Sequence, residues 1–98
     1  QAIICKNLNI NLVERRVTRN GELIHLTPTE FHLLAVLAEH PGRALSPDTL
    51  LTRVWGDDSY DVENVKRYIH YLRQKIEDDP DEPEVIVTER GFGYYLAK

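Results

Sequence analysis

The residues best suited to chemistry cluster between positions 62 and 76. Four cationic side chains and one acidic side chain fall in that segment, although the whole chain has a formal net charge of −4. The following segment, 77–84, contains six carboxylates and no basic residue, so an acidic block conceals a basic one. Because local fields govern docking to a polyanion, this distribution matters more than the total charge.

A helical wheel over the basic segment separates an apolar stripe from a polar side. The stripe recurs at i, i+3, i+4 and i+7, which predicts a helix that is capped by Asp61 and runs to about Glu77. The polar side and its two edges contain the side chains that could bind a ligand. These candidates are Asn64, Lys66, Arg67, His70, Tyr71, Arg73, Gln74 and Lys75.

Side chains of these types can donate hydrogen bonds to base edges and to phosphate oxygens. A helix also fits the major groove of DNA, which is about 12 Å wide. Arg67 is the first choice for reading a base, with His70, Tyr71 and Asn64 as weaker choices. Lys66, Arg73 and Lys75 are expected to contact phosphates. The alternative is an ordinary amphipathic helix whose basic face is only solvated.

A second candidate surface lies near the C-terminus. Residues 85–88 and 94–96 are rich in β-forming types, which predicts a hairpin around Glu89–Gly93. Arg90 lies at its tip beside two glycines, which permit a tight turn and a close approach to another surface. An arginine there could enter a minor groove, although a plain turn with a solvated arginine is the alternative. A basic helix followed by an arginine-tipped hairpin is more specific than either feature alone.

Other elements must position these two surfaces. Residues 2–26 read as three or four short antiparallel strands, with a two-residue hairpin turn at Asn20-Gly21. Thr27-Pro28-Thr29-Glu30 is a capping box that begins a first helix, and Pro41-Gly42 ends it. Ser46-Pro47-Asp48 begins a short second helix by the same logic.

The helical wheels also predict which sides of the first two helices are buried. For the first helix, the solvent side is expected to contain His32, Val36, Glu39 and His40. For the second helix, the apolar face is expected to contain Leu50, Leu51, Val54 and Trp55.

No pattern in the chain predicts an enzyme, a cofactor or a metal. The four histidines lack ligand spacing, and the acidic block lacks the glycine and terminal glutamate of a calcium loop. Cys5 is the only cysteine, so no internal disulfide or cysteine cluster can form. The sequence has neither a phosphate-binding glycine-rich loop nor a nucleophile elbow.

Length and composition predict one soluble domain over residues 1–98. The hydrophobic fraction is 42% and the charged fraction 29%, and no apolar run approaches the roughly 18–20 residues that cross a membrane. The N-terminus lacks both a signal peptide and a starting methionine, so we expect an excised piece of a longer cytoplasmic protein.

These residues make the chain resemble a known family, the C-terminal winged-helix effector domains of OmpR/PhoB response regulators. The resemblance covers essentially the whole chain. It is clearest in Leu26–Leu34, Val54–Gly56, Val65–Ile76 and Thr88–Tyr94. The Arg-Gly-x-Gly-Tyr core of the last stretch is distinctive.

The resemblance implies an α+β winged helix-turn-helix fold: an N-terminal antiparallel β-sheet, three helices and a C-terminal β-hairpin wing. It implies that the helix starting near Asp61 is the recognition helix. It places Thr88, Arg90 and Gly91 in a wing at the minor groove, and it gives Trp55 a phosphate contact as well as a packing role. It also implies that the 55–61 loop can contact RNA polymerase.

The family pattern in the recognition helix is Val-Asp-Val-His-Ile, then two variable residues and Leu-Arg. This chain departs from it: Lys66 replaces an acid, Arg67 a small apolar residue and Tyr68 a histidine. Glu89 stands where the wing usually has an apolar residue. The base preferences of the family therefore do not transfer to this chain.

The expected function is sequence-specific double-stranded DNA binding for transcription regulation, as the output domain of a two-component phosphorelay. The resemblance implies a receiver domain outside this chain that drives dimerisation on direct-repeat half-sites, whereas the isolated domain is expected to be a monomer that binds DNA weakly. The alternative is a winged helix used as a protein-interaction module.

Overall fold

The computed structural model describes residues 2–56 and 61–98. A four-stranded sheet comes first, followed by three helices and a two-stranded hairpin. The elements are β1 (Ala2–Cys5), β2 (Leu8–Asn11), β3 (Arg16–Arg19), β4 (Glu22–Ile24), α1 (Pro28–Ala38), α2 (Pro47–Trp55), α3 (Val62–Ile76), β5 (Ile86–Glu89) and β6 (Gly93–Leu96).

The N-terminal sheet is an antiparallel meander in the order β1-β2-β3-β4. Arg19 pairs with Glu22, so Asn20-Gly21 forms the two-residue loop between β3 and β4. Both loop residues have positive φ, 52° for Asn20 and 82° for Gly21, as the predicted turn requires. The expected hairpin is therefore confirmed, and the strand number is four.

Side-chain caps begin all three helices at the predicted residues. Thr27 Oγ1 accepts from the Glu30 amide at 3.2 Å, and Glu30 Oε1 accepts from the Thr27 amide at 3.0 Å, which completes the capping box. The Ser46 hydroxyl accepts from the Thr49 amide, and the Asp61 carboxylate accepts from the Glu63 amide. These bonds satisfy backbone donors that the first turn of a helix leaves without partners.

The first helix differs from its prediction in two respects. It ends at Ala38, with Glu39 as the C-cap, ahead of Pro41. Val36 is 3% exposed, so its predicted place on the solvent side is wrong. The reason is that α1 lies against α2, α3 and β6 together, which buries a wider arc than one wheel face. His32 and His40 are exposed, as predicted.

The C-terminal hairpin pairs with the segment between α1 and α2 through an isolated β-bridge. Leu45 pairs antiparallel with Tyr94 of β6, with backbone hydrogen bonds of 2.8 and 3.0 Å. A side chain at neighbouring Gly93 has no room, because a Cβ there would lie 1.9 Å from the Leu45 carbonyl oxygen. The second glycine of the Arg-Gly-x-Gly-Tyr motif is thus required by this close backbone approach.

In the described ranges, 2–56 and 61–98, no helix has the length and apolar character needed to cross a bilayer.

Candidate nucleic-acid interface

The third helix buries one stripe and leaves its cationic side in solvent. Val65, Ile69, Leu72 and Ile76 are at most 1% exposed and pack in the core. On the opposite side the exposed candidates are Lys66, Arg67, His70, Tyr71 and Gln74. The polar surface predicted from the wheel is therefore open for these five side chains.

The exposed side of α3 and the hairpin border one groove. Lys66 lines this groove from α3, and Pro47 lines it from the start of α2. The hairpin supplies the remaining lining residues, which are Thr88, Glu89, Gly91, Phe92, Gly93 and Tyr94. A cation of the helix and the predicted wing residues Thr88 and Gly91 therefore face the same space.

Arg90 lies in the exposed turn that joins β5 to β6. The Phe92 amide donates to the Glu89 carbonyl at 2.9 Å, which closes the turn. Gly91 has φ of 76°, a value that disfavours other residues, and its Cβ position is open space. The turn is thus tight. Among the described residues, no atom lies within 4 Å of the position that a Cβ would take at Gly91.

Arg73 holds the third helix against the hairpin. Its Nε and Nη2 donate to the Ile86 carbonyl at 3.1 and 2.9 Å, and Nη2 also donates to Thr88 Oγ1 at 2.8 Å. The guanidinium carbon lies 5.7 Å from the centroid of the Tyr94 ring. Burial lowers the pKa of Arg73, but arginine remains a cation at neutral pH. Sequence reasoning missed this internal role.

Lys75 also has a partner within the protein. Its Nζ lies 2.6 Å from Oε1 of Glu30, whose side chain is only 5% exposed. The same carboxylate completes the capping box of α1, so the pair joins the end of α3 to the start of α1. The wheel could not reveal this contact, because the two residues are 45 positions apart.

Asn64 departs most from its predicted placement. It is 8% exposed, so the wheel's placement of Asn64 on an edge of the polar side is wrong. It lies in the first turn of α3, and α3 packs against α2. Its Oδ1 accepts a hydrogen bond from Nη1 of Arg67 at 3.0 Å.

Aromatic rings connect the end of α2 with α3. Trp55 meets Tyr68 edge-on, with ring centroids 5.2 Å apart and planes at 70°. Tyr68 meets Tyr71 in the same manner at 5.3 Å. Trp55 and Tyr68 both pack against the core, so the predicted packing role of Trp55 is confirmed. Most of the predicted 55–61 loop, residues 57–60, lies outside the described residues.

The acidic segment after α3 has a buried member that the sequence does not distinguish from its neighbours. Glu77 is 3% exposed. Its carboxylate accepts from the amides of Glu84, Val85 and Ile86 at 2.7 to 3.1 Å. Glu77 therefore holds the turn that leads from α3 into β5. Within the described part of the chain, no three His, Cys, Asp or Glu residues are grouped to hold a metal ion.

The four-stranded sheet, the three helices and the C-terminal hairpin define a winged-helix domain. Residues 21–96 match the family described as transcriptional regulatory protein, C terminal. The chain belongs to this family, and its effector domain is of the OmpR/PhoB type.

Its relatives include response regulators and their DNA-binding domains. The DNA-binding response regulator MtrA of Mycolicibacterium paratuberculosis is 44% identical over 89 residues, which cover 90% of this chain and 40% of MtrA. The chain thus spans about two-fifths of the length of such curated relatives.

Two solved structures superpose over nearly the whole chain. Response regulator DrrB of Thermotoga maritima, described as an OmpR/PhoB homolog, is 33% identical with a TM-score of 0.92, covering 99% of this chain and 44% of DrrB. The RstA DNA-binding domain of Klebsiella pneumoniae, in complex with the RstA box, is 35% identical with a TM-score of 0.86 and coverages of 99% and 97%.

Proposed function

We propose that this chain binds double-stranded DNA in a sequence-specific manner and regulates transcription as the output domain of a two-component response regulator. The observation that supports this most is the groove shared by Lys66 of α3 and by Thr88 and Gly91 of the hairpin. A helix in the major groove and a hairpin at the adjacent minor groove must approach DNA from one side, and these elements meet that condition. The relative RstA was solved with DNA.

The exposed residues of α3 divide into base-reading and phosphate-binding candidates. Arg67 is exposed and can present a bidentate pair of donors to guanine, with His70, Tyr71 and Gln74 beside it. Lys66 would contact a phosphate, which positions the protein without specifying sequence. In the wing, Arg90 is assigned to the minor groove, where negative potential is concentrated.

Arg73 and Lys75 act differently from Lys66 in this proposal. Arg73 uses Nε and Nη2 inside the protein, so within the described chain its Nη1 group keeps its donors for a phosphate. Lys75 is paired with Glu30, so a phosphate contact by Lys75 would share its ammonium with that carboxylate. Trp55 is assigned a phosphate contact in addition to its packing.

The partners of the whole protein are part of the same proposal. A receiver domain outside this chain would bring two copies together on direct-repeat half-sites, and the isolated chain would be a weakly binding monomer. The 55–61 loop would contact RNA polymerase. DNA binding of this kind places the protein in the cytoplasm of a bacterial cell.

The salt dependence of binding tests the proposal. Fragments selected from random DNA by this chain would be labelled, and their affinity measured by fluorescence anisotropy across a salt series. Neutralising about four to six phosphates should give a log–log slope of about −4 to −5. A slope near zero, or no increase in the anisotropy of any fragment at low salt, would instead favour a protein-interaction module.

A further inference from the structure

The two adjacent cations of the third helix are held in different ways. Lys66 forms an ion pair with Glu63 at 3.3 Å, and both side chains are more than half exposed. Such a surface pair barely restrains either partner. Arg67 instead donates from Nη1 to Oδ1 of Asn64, which is 8% exposed. One cation is thus paired with an exposed side chain and the other with a buried one.

A buried asparagine at position 64 is not explained by packing. Its Nδ2 is buried, and in the ranges 2–56 and 61–98 it has no hydrogen-bond partner. Burying an amide with an unmade hydrogen bond costs stability, and an aliphatic residue of similar size would avoid this cost. Oδ1 makes its bond to Arg67 alone among the described side chains. The side chain bonded to Asn64 is therefore that of Arg67, which is exposed on the proposed DNA-facing side.

We propose that Asn64 is a positioning residue that fixes the Arg67 guanidinium before DNA is bound and thereby sets specificity at the base pair that Arg67 reads. The inference rests on the proposed function. A free arginine loses rotamer freedom when it binds, and orienting it beforehand reduces that cost. The bond to Asn64 uses Nη1 and leaves Nε and Nη2 for a bidentate contact with guanine.

The test compares a variant without an acceptor oxygen at position 64 with a variant that has one. Asn64→Leu keeps the approximate volume and removes the acceptor, whereas Asn64→Asp keeps an acceptor oxygen. Thermal unfolding first establishes that both variants are folded. The ¹⁵N relaxation of the Arg67 Nε–H group in the DNA-free chain then reports the order of the side chain. We expect lower order in Asn64→Leu and wild-type order in Asn64→Asp.

The second readout is discrimination between a selected DNA site and the same site with one base pair changed. Asn64→Leu should reduce this ratio about five- to tenfold, part of the discrimination that a bidentate arginine provides. The salt slope should stay unchanged because no phosphate contact is lost. Asn64→Asp should restore the ratio. In an Arg67→Ala background, Asn64→Leu should not change this ratio further, because Arg67→Ala has already removed the contact between the two side chains.

Each of the two measurements can contradict the proposal by itself. Unchanged order of Arg67 in Asn64→Leu overturns the positioning role whether or not the chain binds DNA. An equal loss of affinity for all sequences would show a merely structural role and would also overturn it. If wild-type chain binds no DNA, the proposed function fails, and the specificity role of Asn64 fails with it, while the relaxation measurement still decides whether Asn64 orders Arg67.

Discussion

The Arg73 guanidinium joins the third helix to the hairpin by donating from Nη2 to Thr88 Oγ1 across 2.8 Å. It also donates twice to the Ile86 carbonyl, so three hydrogen bonds run from one side chain to β5. Thr88 lines the groove that Lys66 also lines. The orientation of the wing relative to the proposed recognition helix is therefore held by an arginine that a wheel alone assigns to phosphate binding.

Replacing Arg73 by alanine should affect both stability and binding. The loss of the bonds to Ile86 and Thr88 should lower the free energy of unfolding by about 1–3 kcal/mol, because a buried carbonyl loses its partner. Affinity should fall alike for selected and random DNA, since no base contact is removed. Thermal unfolding measures the change in stability. The anisotropy of labelled DNA, recorded at temperatures below the unfolding transition, measures the change in affinity. Wild-type stability in Arg73→Ala would contradict the bracing role.

Replacing Arg67 by alanine should differ from Arg73→Ala in its effect on specificity. The variant leaves the buried Oδ1 of Asn64 without this donor, so the free energy of unfolding should also fall, by about 1–3 kcal/mol. Discrimination between the selected site and random DNA should fall by about 1–3 kcal/mol, the range for a bidentate arginine–guanine contact. Competition binding measures the ratio, with Arg73→Ala as the matched comparison. Equal losses on both DNAs would refute base reading by Arg67.

The two glycines of the wing motif should tolerate alanine unequally. In Gly93→Ala the new Cβ would meet the Leu45 carbonyl at 1.9 Å, and both backbones must shift. We expect a destabilisation above about 2 kcal/mol and loss of the Leu45–Tyr94 bridge. Gly91→Ala is the control, because its cost is only the positive φ of 76°, about 1–2 kcal/mol. Chemical denaturation compares them, and a smaller effect at Gly93 would exclude the steric explanation.

Replacing Lys75 should destabilise the protein more than replacing Lys66. Lys75→Met leaves the buried Glu30 carboxylate without its cation, which should cost about 1–3 kcal/mol. Lys66→Met breaks only an exposed pair and should cost less than about 1 kcal/mol. Denaturant midpoints report the difference. Equal denaturant midpoints for the two variants would mean that the Lys75–Glu30 pair stabilises the protein no more than the exposed Lys66–Glu63 pair does.

Cys5 should be unreactive in the folded chain. Burial, followed by the nearby charge of Glu77, raises the pKa of the Cys5 thiol above its ordinary value of 9.0. Alkylation at pH 8 should therefore be slow in the native protein and fast in denaturant, because the thiolate is the nucleophile. Mass spectrometry follows the reaction, and equal rates in both states would show that the thiol is accessible.

The same shift predicts a dependence of stability on pH. The folded thiol keeps its proton to a higher pH than the unfolded thiol, so the contribution of Cys5 is full below pH 9.0 and is lost as pH rises through the raised value. Cys5→Ala should remove this part of the decline. Parallel pH profiles of the wild type and variant above pH 9.0 would contradict the prediction.

The local elements were predictable from sequence because their signals lie within a few residues. Asn20-Gly21 requires only the positive φ of its own two residues, and the Thr27–Glu30 capping box spans one helical turn. The apolar stripe of α3 likewise follows from the helical period. Such patterns also identified the exposed cationic side, because the opposite of a buried stripe faces solvent.

The tertiary structure decided which of those polar side chains are available. Arg73 and Thr88 are 15 residues apart and Lys75 and Glu30 are 45 apart, so their contacts depend on how α3 packs on the hairpin and on α1. The burial of Asn64 depends likewise on packing that no wheel contains. The sequence alone determined the helix, its cationic composition and the arginine-tipped turn, because these arise from neighbouring residues. Only the packing of distant elements decided that Asn64 is buried and that Arg73 and Lys75 bond to β5 and to the start of α1.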